Sequence, residues 1–184
     1  MIVIRILAML AVLMFGTGAA FAQAKATDPA NTLILELKSG KVTIQLRPDL
    51  APQHVERVKL LAKEGFYDGL KFHRVIDGFM AQTGDPKGDG TGGSKYGTLP
   101  AEFTPTAFER GVIGAARTNN PNSANSQFFI TLAHSPHLNG QYTVWGRVVD
   151  GMMAVDAVKK GAPGSGAVTN PDIIVKAYIL ADAK

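Results

Sequence analysis

The feature that most constrains the fold is a succession of short apolar runs separated by glycines and polar turns. The first two runs, residues 33–37 and 42–46, alternate in polarity around the turn Ser39-Gly40, which predicts a β-hairpin. Further runs predict strands at residues 72–76, 79–83, 112–117, 127–132, 142–149 and 173–180. The chain is therefore expected to be mainly β.

Two other segments have the spacing of helices. The first begins at Pro52, whose missing N–H costs nothing in a first helical turn, and stops at Gly65. Its apolar face comprises Val55, Val58, Leu61 and Ala62. The second spans residues 152–160, with Asp150 as its N-cap and Gly161 after its end. Its expected buried face comprises Met152, Val155 and Val158.

Eight strands and two helices without a repeating βα order predict a closed, eight-stranded antiparallel β-barrel capped by two α-helices. A two-sheet sandwich is the alternative architecture for this pattern, whereas a helical bundle is excluded. The length of 184 residues and the hydrophobic fraction of 46% fit one domain with a full core. We expect that domain at residues 31–181, without internal repeats or linkers.

The N-terminal segment has the pattern of a signal peptide. Arg5 precedes an apolar run at residues 6–15, and small residues follow that run. We expect residues 1–22 to be removed, with cleavage after Ala22 or, alternatively, after Ala24. The alternative is an uncleaved membrane anchor, but the run is short and followed by glycines, so no stable membrane insertion is expected after cleavage.

The chain contains no cysteine. A lipid anchor on a signal-peptide cysteine is therefore excluded, and so are disulfides, which leaves packing alone to stabilise the protein outside the cytoplasm. Together with the signal peptide, this composition predicts export to the periplasm of a Gram-negative bacterium.

Charge and motif spacing argue against several other functions. The formal charge of +4 is scattered along the chain, whereas a nucleic-acid partner would require a concentrated basic stripe. His134 and His137 have no third ligand near them in sequence, so no metal site is expected. Ser123 and Ser126 have no neighbouring base, which disfavours a hydrolase. The glycine-rich loop 84–94 lacks the ending of a P-loop and is interpreted as a tight loop on the barrel rim.

The most unusual segment is FHRVI at residues 72–76, which is followed by FMAQ at 79–82. Arg74 stands there in a run that is otherwise apolar and aromatic. Spacing alone favours a surface-facing arginine on an alternating strand. The aromatic residues of QFFI at 127–130, taken alone, are expected in the core.

Taken together, these segments resemble the cyclophilin family of peptidyl-prolyl isomerases. The resemblance is carried by FHRVIDGFMAQTGDPKGDGTGG at residues 72–93, SQFFITL at 126–132 and LNGQYTVWGRV at 138–148, and it extends over about residues 31–181. The family fold is an eight-stranded antiparallel barrel with two capping helices, in agreement with the pattern above. The resemblance implies an enzyme that accelerates rotation about X-Pro peptide bonds and so assists the folding of exported proteins.

The resemblance also implies roles for individual residues. Arg74 matches the catalytic arginine, and Gln82 matches the residue that holds this arginine and the substrate carbonyl. The backbone of Arg117 matches the position that hydrogen-bonds the substrate chain. The other substrate-binding positions belong to the proline pocket and its groove: Phe79, Met80, Ala116, Gln127, Phe129, His137, Leu138 and Tyr142.

These residue types fit the chemistry of the reaction. Amide resonance sets a rotation barrier of about 18–20 kcal/mol, and the twisted amide has its lone pair localised on the prolyl nitrogen. A guanidinium aimed at that nitrogen stabilises the twisted state more than either planar state. No bond breaks, so neither a metal nor a cofactor is expected. Because arginine does not titrate in a useful range, turnover should be nearly independent of pH around neutrality, and His73 is expected to be structural, facing away from the groove.

Two positions depart from the eukaryotic pattern. His137 and Tyr142 stand where those proteins usually carry a tryptophan and a histidine, so weak cyclosporin binding is expected. The expected partners are unfolded or partly folded proline-containing polypeptides, and the default oligomeric state of the family is a monomer. The second hypothesis is a binding module that holds such polypeptides without catalysis, which the presence of Arg74, Phe79 and Phe129 disfavours. A nutrient- or metal-binding envelope protein ranks third.

Overall fold

A computed structural model describes residues 28–183 of the chain. The strands are β1 (Thr32–Leu37), β2 (Gly40–Leu46), β3 (Arg74–Ile76), β4 (Met80–Thr83), β5 (Val112–Ala115), β6 (Phe128–Thr131), β7 (Val144–Asp150) and β8 (Ile174–Ile179). The helices are α1 (Pro52–Lys63) and α2 (Met152–Asp156), and short 3-10 turns lie between the elements. The mainly β class is confirmed. The proposed signal peptide lies outside the described residues. Among residues 28–183, no helix is long and apolar enough to cross a membrane.

All eight strands belong to one antiparallel sheet in the order β3-β4-β6-β5-β7-β2-β1-β8. The sandwich alternative is therefore wrong. The β1–β2 hairpin is confirmed, with its turn displaced by one residue: Leu37 pairs with Gly40, so Lys38 and Ser39 form the turn. Gly40 opens β2 with a φ of 140°, a backbone conformation that favours glycine.

The sheet is curled but open, so the prediction of a closed barrel is wrong. Its edge strands, β3 and β8, form no ladder with each other. The segment before β3 meets the start of β8 only locally, through an isolated bridge between Lys71 and Ile173 and hydrogen bonds such as that from the N–H of Phe72 to the carbonyl of Asp172 at 2.9 Å. The free edge of β3 is instead occupied by residues 161–168, where the N–H of Val75 donates to the carbonyl of Gly166 at 2.8 Å. Because this loop takes the hydrogen bonds that a neighbouring strand would need, the ladder cannot close there.

Helix α1 begins at Pro52, as predicted, and is capped from a distant part of the chain. Its N-cap residue, Ala51, has no side-chain acceptor to offer. The carboxylate of Glu102 takes that role and accepts from the N–H groups of Gln53 and His54 at 3.1 Å each. This contact satisfies two of the free N–H groups of the first turn and ties α1 to the segment before β5.

The end of α1 follows the expected glycine stop. Gly65 has a φ of 69°, and its N–H donates to the carbonyl of Ala62 while the N–H of Phe66 donates to that of Leu61. This pair of hydrogen bonds is a Schellman motif. The predicted apolar face is buried, together with His54, and packs into the main core.

Helix α2 is shorter than the predicted span 152–160, and Asp150 does not cap it. Asp150 is the last residue of β7, and Gly151 is the N-cap residue, with a φ of 84° and no side-chain cap. A Cβ atom at position 151 would overlap the carbonyl oxygen of Lys41, so the close approach of β2 requires glycine there.

Helix α2 ends at Asp156, and the segment that follows it pairs with β3. The N–H of Gly161 donates to the carbonyl of Val75 at 2.9 Å, and a Cβ atom at position 161 would overlap the carbonyl oxygen of Gly166. Gly161 is therefore a close-packing position beside β3 and not a helix stop, which corrects the prediction.

Two apolar clusters lie on opposite faces of the sheet, because successive side chains of a strand alternate between its faces. The larger cluster packs the sheet against α1. The smaller one, called here the site cluster, comprises Met80, Phe108, Val112, Phe129, Leu138 and Val144. It supports the surface on which the predicted site residues converge.

Candidate active site

Strand register brings the central predicted residues into one row. Arg74 of β3 lies opposite Gln82 of β4, and Gln82 lies opposite Phe129 of β6. Phe129 in turn faces Gly114 of β5, where a Cβ atom would overlap the end of the phenyl ring. Directly opposed residues project from the same face, so these side chains share one surface. Gly114 leaves the space into which the Phe129 ring fits.

A chain of hydrogen bonds holds the polar side of this row. Nη1 of Arg74 donates to Oε1 of Gln82 at 3.3 Å, and Nε2 of Gln82 donates to Oε1 of Gln127 at 3.0 Å. Nε of Arg74 donates to the carbonyl of Ser165 at 3.1 Å. The guanidinium is thus fixed from two directions, and within residues 28–183 its Nη2 has no hydrogen-bond partner.

The apolar side of the row is a cavity of about 280 Å³. Its lining residues are Arg74, Phe79, Met80, Gln82, Ala116, Arg117, Phe129, His137, Leu138 and Tyr142. The Phe129 ring stacks on Phe108 at 5.7 Å between centroids and meets the Tyr142 ring edge-on at 5.4 Å. Phe79 lies 5.3 Å from the ring of His137. The cavity is therefore an aromatic cup with a guanidinium on its rim.

A second, more polar hollow of about 640 Å³ adjoins the cup and shares Gln82, Ala116 and Arg117 with it. Gln127 lines this second hollow and not the cup. The Arg117 side chain donates to the carbonyls of Gln141 and Thr118 and lies over the Tyr142 ring at 4.5 Å. Among residues 28–183, the backbone N–H and C=O of Arg117 make no hydrogen bond, so both are available to an extended chain in the groove.

The sequence-predicted residues thus converge, with Gln127 displaced to the adjoining hollow. Sequence reasoning missed the backbone carbonyls that complete the polar side, those of Ser165, Gly90 and Gly92. Carbonyl groups belong to every residue, so no residue-type signal could have identified them. The expectation that the glycine-rich loop 84–94 lies on a rim indicated the region of Gly90 and Gly92, but not the role of their carbonyls.

Two buried histidines lie outside both hollows. His73 and His54 are 9% and 3% exposed. Burial lowers the pKa of His73, against a smaller opposing effect of Asp85. Burial also lowers the pKa of His54, although Glu102 at 2.6 Å partly offsets that effect. Burial therefore favours the neutral form of both imidazoles.

In the part of the chain from 28 to 183, no group of three or more histidine, cysteine, aspartate or glutamate side chains converges in a way that could hold a metal ion.

Comparisons with known proteins agree with this geometry. The family model described as "Cyclophilin type peptidyl-prolyl cis-trans isomerase/CLD" matches residues 32–179. A "Probable peptidyl-prolyl cis-trans isomerase" of Brucella suis is 59% identical over 173 residues, which cover 88% of each chain. "Peptidyl-prolyl cis-trans isomerase B" of Bacillus subtilis is 45% identical over 115 residues, covering 61% of this chain and 79% of the relative.

Two solved structures share the fold. A cyclophilin from Hirschia baltica is 28% identical with a TM-score of 0.76, covering 87% of this chain and 77% of the other. A cyclophilin type peptidyl-prolyl cis-trans isomerase from Cryptosporidium parvum, solved in the presence of the dipeptide ala-pro, is 30% identical with a TM-score of 0.74, covering 80% and 98% of the two chains.

Proposed function

The chain belongs to the cyclophilin-type peptidyl-prolyl cis-trans isomerases and is an enzyme of that class, and from that premise we propose that Arg74 is its catalytic residue and that its substrates are exported polypeptides that are not yet folded. The observation that carries the assignment of Arg74 is its position. Its guanidinium stands at the rim of the aromatic cup, held by Gln82 and by the carbonyl of Ser165, with Nη2 left to a substrate.

The proposed mechanism begins with the cup. The pyrrolidine ring of proline is apolar and compact, and the rings of Phe79 and Phe129 with the side chains of Met80 and Leu138 give it an apolar surface to bury against. Binding of the ring in the cup holds the proline side of the X-Pro bond in place. The segment before proline remains free to rotate in the open groove, where the backbone of Arg117 binds it.

Arg74 then acts on the rotating bond. When the amide twists, resonance is lost and the nitrogen becomes a hydrogen-bond acceptor, which it is not in either planar state. A guanidinium fixed beside that nitrogen therefore stabilises the twisted state selectively and lowers the barrier. Its orientation is set before the substrate arrives, so little reorganisation is required during the reaction.

We further propose that the protein acts in the periplasm as a monomer, after removal of residues 1–22. The export and the cleavage are supported by the apolar N-terminal run, the small residues around Ala22 and Ala24, and the absence of cysteine, whereas the monomer is proposed as the default state of the family. Sequencing the N-terminus of the exported protein tests the cleavage. A new N-terminus at residue 23 or 25 is expected, and retention of Met1 on exported protein would contradict it.

The enzymatic proposal is tested by proline-limited refolding of a model protein, with the mature chain, Arg74→Ala and Arg147→Ala. Arg147 is a matched control, because it is an exposed strand arginine that lines neither hollow. The wild type and Arg147→Ala should accelerate the slow phase at substoichiometric amounts, whereas Arg74→Ala should not. Binding of unfolded chains by all three proteins without acceleration would identify a holding module instead.

A further inference from the structure

A buried carboxylate lies behind the glycine-rich loop. Asp85 is 1% exposed, and its carboxylate accepts from the N–H groups of Lys87 at 2.8 Å, Asp89 at 3.0 Å and Gly90 at 2.5 Å. Burial by itself raises the pKa of Asp85, but these N–H groups and that of Gly92 lower it to below its ordinary value. A buried charge is costly unless it is fully hydrogen-bonded, and here backbone donors satisfy it.

The loop is wrapped around this carboxylate. Gly90 has a φ of 92°, which favours glycine, and a Cβ atom at position 92 would overlap Oδ1 of Asp85. The wrapping turns the carbonyls of Gly90 and Gly92 toward one point, the amide nitrogen of Gln127. Nε2 of Gln127 donates to them at 3.0 Å and 2.8 Å.

These two carbonyls determine which way Gln127 is oriented. A carbonyl can only accept a hydrogen bond, so the NH₂ group of Gln127 must face the loop and its Oε1 must face away. Oε1 accepts from Nε2 of Gln82, which directs the oxygen of Gln82 toward Arg74. Reversing either amide would place two N–H donors, or two carbonyl oxygens, opposite each other. The loop therefore selects the one arrangement that presents an acceptor to the guanidinium.

We propose that Asp85 is a positioning residue for the isomerisation step: by holding the loop carbonyls on Gln127, it orients the amides of Gln127 and Gln82 and so fixes the guanidinium of Arg74. This inference rests on the proposed catalytic role of Arg74. Asp85 itself does not touch the substrate groove, since it lines neither the cup nor the adjoining hollow.

The role can be separated from simple stabilisation, because positioning acts through Gln127. A variant that only lowers the folded fraction still reduces turnover after Gln127 has been replaced, because its effect does not pass through that side chain. A variant that acts through Gln127 loses its effect once that amide is gone. Positioning should also lower kcat while leaving proline binding intact, because the cup is built from other residues.

The experiment measures kcat on a proline peptide and the Kd of that peptide for wild type, Asp85→Asn and the control Asp89→Asn. Asp89 lies in the same loop and undergoes the same charge change, but within the described part of the chain its side chain accepts hydrogen bonds only from the N–H and hydroxyl of Thr91. Asp85→Asn should lower kcat by about fivefold to tenfold, which is part of the roughly hundredfold effect of a 1 Å displacement of a catalytic group, and should change Kd by less than about twofold. Asp89→Asn should match the wild type.

The same measurements are then repeated in the Gln127→Ala background, where the effect of Asp85→Asn should disappear. An equal reduction in both backgrounds, or none in either, would overturn the positioning role. If Asp85→Asn folds poorly, Gly92→Ala replaces it in the cycle, because a Cβ atom at position 92 would overlap Oδ1 of Asp85 and so disturb the same contact between this carboxylate and the loop. Wild type and Arg74→Ala run in parallel: an inactive wild type or a fully active Arg74→Ala refutes the proposed function itself, whereas failure of the cycle alone refutes only the role of Asp85.

Discussion

The two sides of the site are held in place by different forces. The cup is supported by packing: Met80, Phe129 and Leu138 are buried members of the site cluster and rest on its other apolar side chains. The polar side is supported by directional hydrogen bonds from Arg74 and Gln127 to the carbonyls of two loops. Packing tolerates exchange among side chains of similar volume, whereas a hydrogen-bond chain fails when one partner is lost.

This contrast implies that one side of the site determines binding and the other determines rate. The cup should determine how tightly proline is held, because apolar contact is nearly the same for the planar and twisted bond. The polar side should determine the rate, because the acceptor it serves exists only in the twisted state. Substitutions on the two sides should therefore change different kinetic constants.

The largest effect is expected for Arg74→Lys. Lysine keeps the charge but cannot donate to Gln82, to the Ser165 carbonyl and to the substrate from one rigid plane. We expect kcat to fall about a hundredfold, which corresponds to roughly 2.7 kcal/mol of lost transition-state stabilisation. Saturation kinetics on a proline peptide would measure it. Near-normal kcat would mean that charge alone suffices and that the hydrogen-bonded fork is incidental.

A smaller loss of rate is expected for Gln82→Leu, which retains the size of the side chain and removes both of its hydrogen bonds. Arg74 remains held by the Ser165 carbonyl, so kcat should fall by about tenfold and not more. The peptide Kd should weaken by no more than about threefold, as expected for the loss of one hydrogen bond to the substrate carbonyl. A much weaker Kd with normal kcat would assign Gln82 to substrate binding and would contradict the proposal that the polar side determines the rate.

On the apolar side, Phe79→Ala should weaken binding of the peptide by about fivefold, a loss of about 1 kcal/mol from a partly buried ring. The kcat should change little, because the Phe79 side chain has no polar atom with which to act on the rotating bond. Leu60→Ala, at an exposed position on α1 outside both hollows, is the control. Titration calorimetry measures the Kd, and a large loss of kcat would contradict a purely binding role.

The smallest change is expected in the pH profile of activity. Turnover should be flat from about pH 6 to pH 9, because arginine remains charged throughout.

The stability of the protein should depend on pH in a different way, since His54 and His73 have folded-state pKa values below the ordinary 6.5. The unfolded chain then binds more protons below that pH, so stability is complete above it and falls by up to about 1.4 kcal/mol per histidine per pH unit on acidification.

Urea denaturation at several pH values checks the stability, and peptide turnover checks the rate at each of those values. A rate that titrates between pH 6 and 7 while the protein remains folded would implicate a histidine in catalysis.

Much of the fold was predictable because most elements carry their own pattern. The β1–β2 hairpin alternates, and α1 has a proline at its start and a glycine at its end. Closure of the sheet was not predictable, because it depends on which segment occupies the free edge of β3. Residues 161–168 do so without any strand pattern. Likewise, the requirement for glycine at position 151 comes from the nearby carbonyl of Lys41, which only the tertiary structure brings there.

The site shows the same limit at finer scale. Its side chains were recognisable through the family motifs around Arg74 and Phe129, and the register of β3, β4 and β6 brings them together. The groups that aim those side chains are backbone carbonyls, which have no sequence signature. Asp85 appeared to be one polar residue of a glycine-rich loop, and only its burial and its backbone donors distinguish it.

Binding and isomerisation can be measured in one sample by NMR exchange spectroscopy on a proline peptide titrated with wild type or with Arg74→Ala. We expect Arg74→Ala to bind the peptide with a Kd within about threefold of wild type, because the apolar side chains of the cup are intact, while cis–trans exchange slows by about a hundredfold or more. Exchange at the wild-type rate, or loss of binding and exchange together, would contradict the claim that the cup determines binding whereas Arg74 determines the rate.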